Sequence, residues 1–272
     1  MDKKEKIKNI LLALAACFGS ILLYKLTSLL LEGKIANSYL HDFVVQAFFA
    51  VYTVAAVFLI KRTDVFHAEK NCLKSGWSSA FLLFAFILFY SAFGALTLLN
   101  ITATVPEVIL VILYIILIGF TEEILFRGVL QRAFHRYFTE TSLKTVLSAI
   151  VISGFLFGIA HLGNFLRIGI QAALPQALVN IFSGIYFGAV YFRTGKHPWY
   201  TVILHALYDW STFLMSGRLS GNNTVDALSQ AKNVGLSSIL IFAVLYLGAT
   251  AIILRPSKLN PLLEKKESGQ KN

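Results

Sequence analysis

The chain has 272 residues, of which 57% are hydrophobic and only 14% charged, and its mean hydropathy is +0.70; an average soluble domain is about 25% charged. Its 24 Lys and Arg against 14 Asp and Glu give a net charge of +10, yet so apolar a composition excludes a soluble single-core enzyme, a disordered basic tail and a nucleic-acid binder. Cys17 lies in an apolar run and Cys72 in a charged linker, so a disulfide scaffold is excluded as well. The class expected is all-α, a polytopic transmembrane helical bundle.

A bilayer core about 30 Å thick takes roughly 20 apolar residues per helix. Eight segments approach that length: Ile10 to Leu31, Phe43 to Ile60, Trp77 to Leu99, Pro106 to about Leu130, Leu143 to Leu162, Gln171 to Phe192, Pro198 to Met215, and Val234 to Leu254. The first is too long for a cleaved signal peptide, contains Lys25, and is followed by no small-residue cleavage pattern. The expected organisation is one membrane domain over 1–272. Residues 1–9 form its N-terminus, spans over 106–215 its catalytic core, and 255–272 its tail.

Loop charge sets the orientation. Nineteen of the cations, from Lys3 through Arg62, Lys70, Arg132, Lys144 and Lys196 to Lys271, collect on one side, while the other side has only Lys34, Arg167, Arg218 and Lys232. By the positive-inside rule both termini are cytoplasmic, in what is expected to be a bacterial or archaeal plasma membrane. Pro106, Pro175 and Pro198 fall near the starts of spans four, six and seven, where a missing N–H does no harm. Gly154-x-x-x-Gly158 and Gly184-x-x-x-Gly188 mark spans five and six for close packing.

Ionisable residues inside spans are costly and point to function. Span four holds Glu122, Glu123 and Arg127, span five ends at His161, span seven holds His205 and Asp209, and Lys25 in span one needs a polar niche for its amine. Glu123 and Arg127, four apart, suit an ion pair, which leaves Glu122 about 100° round the helix and facing elsewhere. Thr201, His205, Asp209 and Thr212 form a polar stripe; Gln176, Asn180 and Ser183 form another. A satisfied interhelical hydrogen bond explains any one of these residues, but hardly the whole set. Glu122 and His161 can hold and deprotonate a water, directly or through a metal. His205 and Asp209 can stabilise an oxyanion or complete a metal site, and Glu122, His161, His205 and Asp209 together offer a zinc ligand set. The spacing is not that of H-E-x-x-H proteases, so zinc is one option and not a requirement.

These motifs, E-E-x-x-x-R at Glu122, Glu123 and Arg127, F-x-x-x-H at Phe157 and His161, and H-x-x-x-[N/D] at His205 and Asp209, resemble the CAAX protease and bacteriocin-processing (CPBP, or Abi) family of intramembrane proteases, which includes prenyl-protein endopeptidases related to the Ras-converting enzyme. The resemblance implies an eight-span fold with a cavity opening to the cytosol. It also implies that Glu122 and His161 activate water, that His205 and Asp209 form an oxyanion site, and that Glu123 and Arg127 support them. The expected activity is cleavage of a membrane-associated peptide or lipidated protein, either a CAAX-type prenylated tail or a bacterial peptide. Membrane lipids and that substrate are the expected partners, with no nucleic acid.

One departure is Asp209, where the prenyl-protein proteases place Asn; an ionised carboxylate cannot donate to an oxyanion. A second tension is depth. Glu122 stands about 12 Å from the expected end at Leu130, and His161 about 27 Å from Leu143. An interfacial helix over 132–144, a later start of span five, or strong tilt would reconcile them. The competing function is a non-catalytic immunity or scaffold protein on the same fold. A proton-coupled transporter would show inverted repeats, and none is visible.

Overall fold

The computed structural model describes residues 2–69 and 72–267. Lys70, Lys271 and the last stretch of the tail, 268–272, lie outside the described residues. The described residues contain helices and turns and no strand.

The long helices are α1 (Lys3–Leu31), α2 (Ser38–Leu59), α3 (Phe81–Asn100), α4 (Val105–Phe138), α5 (Leu143–Leu162), α6 (Ile170–Arg193), α7 (Pro198–Met215) and α8 (Leu236–Ile253), followed by α9 (Pro256–Glu267). Local chemistry starts them: Asp2 accepts from the Glu5 amide at 2.7 Å, Asn37 from Leu40 at 2.9 Å, and Ser142 from Thr145 at 3.3 Å. Glu107 reaches back to the Thr104 amide at 2.8 Å and closes a capping box. Exposed Leu22, Leu30, Phe58, Leu88, Val105, Ile112 and Val244 form the lipid-facing surface.

Seven of these helices are long and apolar enough to cross a bilayer. The eighth expected span, α7, forms over the expected residues, but its polar stripe keeps it out of that class. It packs against α3 and α4 inside the bundle.

The expected end of span four near Leu130 is corrected. The helix runs on to Phe138, with its hydrogen bonding widened to a π-helix over Ile124–Gln131. Arg127 and Arg132 look like a membrane edge in the sequence, yet both are buried. An interfacial helix over 132–144 is therefore not what forms. From Phe138, Glu122 lies about 24 Å along its helix, within a turn of the roughly 27 Å from Leu143 to His161. Helix α7 starts deeper: the Lys196 carbonyl just before it accepts from Arg132 at 3.1 Å. Pro175 is also corrected, since it lies inside α6, past the first turn. Cys17 is buried and both cysteines are free.

Helices α5 and α6 make the tightest pair. A Cβ on Gly158 would stand 2.6 Å from the Ala177 carbonyl and 2.7 Å from the Ile181 amide, and one on Gly154 would stand 2.6 Å from the Ile185 amide. On the inner face a charge clasp joins the turns. Asp64 pairs with Arg62 at 2.8 Å, Arg132 at 3.2 Å and Arg136 at 2.8 Å, and Lys196 bridges Glu69 at 2.7 Å and Glu140 at 2.5 Å. Partial burial tends to raise the carboxyl of Asp64, but its bond to Arg62 and the charges of Arg62, Arg136 and Arg132 outweigh this and hold it below the usual range. Glu69 is likewise held low, burial being outweighed by Lys196 and Arg132.

Two outcomes follow from this packing. Gly158→Val should destabilise the protein by about 1–3 kcal/mol or more, whereas Gly19→Val, which meets nothing within 4 Å, should leave the melting temperature in detergent unchanged. Depressed carboxyls give stability that is present above their unfolded values near 4 and lost as pH falls through the folded ones. The acid-side loss of melting temperature should therefore shrink in the Asp64→Asn, Glu69→Gln double variant.

Candidate active site

Glu122 and Glu123 end the regular part of α4, just before its π-helical stretch. Glu123 is fully buried, its Oε2 lying 3.3 Å from Arg127 Nε and its Oε1 2.8 Å from His205 Nδ1. The wide turn also aims two donors at α6. Arg127 Nη2 donates to the Gly184 carbonyl at 3.3 Å, and Gln131 Nε2 donates to the Gly188 carbonyl at 2.9 Å. The guanidinium carbon lies 4.4 Å from the centre of the Phe157 ring and 5.6 Å from that of Phe187. The glycine pair on α6 thus has a second use, since bare backbone lets the α4 side chains reach its carbonyls.

Helix α7 brings His205 against this pair. Its Nδ1 is held by Glu123, and its Nε2 faces Glu122 and Asp209, each 3.6 Å away. On α5, His161 Nδ1 lies 2.9 Å from the Phe157 carbonyl. With Nδ1 donating there, its Nε2 is free to accept a proton. Glu122, His161, His205 and Asp209 all line one cavity of about 630 Å³. Glu122 and His161 face it without direct contact. Glu123 and Arg127 stand behind it.

Of the polar rows, Gln176, Asn180, Ser183 and Thr212 reach the cavity, while the hydroxyl of Thr201 is spent on the Pro198 carbonyl at 3.0 Å. Lys25 has its polar niche, donating to Asn164 Oδ1 at 2.7 Å, and the Asn164 amide donates to Gln176 at 2.9 Å. Sequence reasoning missed Gln46, whose amide donates to Thr121 at 2.8 Å beside Glu122, and Gln131. A lone amide in the apolar run of α2 was the available signal for the first; nothing marked the second.

Among the described residues, no group of three or more His, Cys, Asp or Glu side chains is disposed to hold a metal ion. Glu123 occupies His205 Nδ1 and leaves Nε2 facing the cavity, 3.6 Å from both Glu122 and Asp209.

The cavity runs from Phe126, Phe187 and His205 in mid-bundle to Thr224, Gln230 and Val234 in the loop before α8, and no residue of the inner turns lines it. That loop lies on the face opposite the termini. A cytoplasmic N-terminus and a cytosolic cavity mouth, both expected from the sequence, therefore exclude each other.

Fold and site together define a polytopic helical membrane protein whose ionisable residues converge on one internal cavity. Residues 103–211, which carry all three motifs, match the family described as type II CAAX prenyl endopeptidase, Rce1-like. The match spans this segment, less than half of the chain, and at family level it is to intramembrane proteases of the CAAX type. No curated protein and no solved structure gives a match.

Sidedness is directly measurable. In a background with Cys17→Ala and Cys72→Ser, a membrane-impermeant maleimide applied to intact cells should label Gln230→Cys and should label Lys258→Cys only after permeabilisation. The reverse pattern would place the cavity mouth in the cytosol.

Proposed function

We propose that the chain is an intramembrane endopeptidase that hydrolyses a peptide bond of an apolar or lipid-modified tail by carboxylate-activated water. The observation that carries this reading is the division of labour between adjacent glutamates. Glu123 is engaged by Arg127 and His205, while Glu122 faces the cavity with no hydrogen bond to a cation, His205 Nε2 standing 3.6 Å away. In this reading Glu122, aided by His161, takes a proton from a water whose oxygen attacks the scissile carbonyl carbon. The C–N bond then breaks and the proton passes to the departing amine. His205, as an imidazolium whose Nδ1–H bonds the Glu123 carboxylate, offers Nε2–H to the oxyanion. Asp209 cannot donate as an amide would; it flanks His205 and orients it.

Tyr24, Phe49, Tyr90, Tyr114 and Phe213 line the cavity and suit an apolar tail. With the buried Arg127 and Arg132 set aside, the seventeen-to-four bias of cations supports cytoplasmic termini in a bacterial or archaeal plasma membrane. With that orientation the tail enters from the extracytoplasmic face. This favours a bacterial peptide over a cytosolic prenylated tail.

In detergent micelles, where both faces are open, a CAAX-type fluorogenic reporter tests the chemistry. Glu122→Gln and His161→Ala should each lower kcat at least about a hundredfold while purifying and melting like wild type. Chelation should leave the rate unchanged, and metal analysis should find no stoichiometric zinc. If both variants cleave normally, or if they retain full protective function in cells, the non-catalytic immunity or scaffold reading replaces this one.

A further inference from the structure

One buried polar atom on the cavity wall has no part in the contacts above. Gln46 on α2, outside the matched residues 103–211, is 3% exposed and lines the cavity. Thr121 settles which way its amide points. The Thr121 hydroxyl has one proton, and carbonyls of its own helix take it, Leu117 at 2.9 Å and Ile118 at 3.1 Å. The Gln46 atom that stands 2.8 Å from that hydroxyl must therefore donate, and it is Nε2. Oε1 is left as the polar atom that Gln46 turns to the cavity, with no donor for it among the described residues. Other amide oxygens on the wall are engaged: Asn164 Oδ1 accepts from Lys25 at 2.7 Å, and Gln176 Oε1 accepts from Asn164 at 2.9 Å. A buried acceptor without a donor is costly, and at membrane depth such a group marks a ligand path.

We infer that Gln46 Oε1 accepts a main-chain N–H of the peptide in the cavity, beside the bond that is cut. The inference rests on the endopeptidase reading and names what the site recognises, backbone in place of side chains. An apolar or lipid-modified tail brings few side-chain donors. Between Tyr24, Phe49 and Tyr114 on the cavity wall, its N–H groups lose the water that served them and need acceptors from the protein. Gln46 is tied to Thr121, the residue before Glu122, and neighbouring Cα atoms are about 3.8 Å apart. An extended peptide advances about 3.3 Å per residue, so an N–H bonded there sets a peptide bond one or two residues away against Glu122. The bond to Thr121 also holds the acceptor in one direction, so the register of the chain is fixed whatever its side chains are.

The test is an ester scan of the CAAX-type reporter with full-length protein in micelles. Each amide N–H flanking the scissile bond is replaced in turn by an ester oxygen, which removes the donor and keeps the shape, while the scissile amide is left untouched. In wild type one ester, within two residues of the cut, should raise KM about tenfold. In Gln46→Met the all-amide reporter should lose the same factor, and that ester should cost nothing further. Thr121→Val breaks the same interhelical bond but keeps the acceptor, so it should still distinguish ester from amide, which separates recognition from packing. Binding of the amide and ester peptides to the inactive Glu122→Gln variant, followed by thermophoresis, should show the same ratio without turnover and needs no change at Gln46. Turnover and binding that no ester alters, or an ester penalty that survives in Gln46→Met, overturn the acceptor and leave the endopeptidase reading standing. Ester-sensitive binding with no turnover in wild type overturns that reading and leaves the acceptor in place.

Discussion

Glu123 and Arg127 lie wholly inside the bundle, and a charge so far from water is strongly destabilising unless it finds partners there. Their mutual contact at 3.3 Å is only part of the answer. His205 takes the second carboxylate oxygen, the Gly184 carbonyl takes a guanidinium proton, and the Phe157 ring covers the guanidinium face. Each partner comes from a different helix: α7, α6 and α5. Satisfying one ion pair therefore fixes three helices against α4, and the same contacts aim His205 Nε2 at the cavity. The π-helical turn belongs to this constraint, because it lets Arg127 and Gln131 face the paired glycine carbonyls together.

Much of this was legible in the sequence because lipid makes charge expensive. The helical class and the order of the long helices follow from apolar length, with α5 to α8 placed within two residues, and Glu122, Glu123, Arg127, His161, His205 and Asp209 are conspicuous as charges that hydrophobicity cannot explain. What was not legible was depth. Arg127, Arg132 and Arg136 follow one another as a cytoplasmic edge would, so the span seemed to end near Leu130. Hydropathy cannot tell a cation in headgroups from one buried among carbonyls and carboxylates. Arg132 is the second kind, bonded to the Asp64, His67 and Lys196 carbonyls and to Tyr191. Only tertiary contacts distinguish the two, and this one misreading produced the whole mismatch between Glu122 and His161.

The same distinction governs what the net charge of +10 means. The cations fall into three physical populations. Those in the inner loops set orientation and meet anionic headgroups. Arg127 and Arg132 are structural, buried inside the protein and bonded to its carbonyls. Lys25 and Arg167 belong to neither group, being on the sparsely charged side of the bundle and against a cavity. Positive-inside bias alone would count Arg167 as noise. Set beside the cavity, its scarcity becomes informative: on a face that otherwise avoids cations, one held at a cavity wall near a second cation has a local reason to be there.

Sidedness then narrows the chemistry. A cavity that reaches down to a carboxylate and two imidazoles, but opens away from the termini, can be entered along the lipid or from the far aqueous face. Its aromatic walls favour apolar chain, and its few polar groups sit at the base and along one side. The Glu123–His205 contact separates that wall from the polar base: with His205 held from behind by α4 and α7, the aromatic lining can adapt to what it meets without moving the groups beneath it.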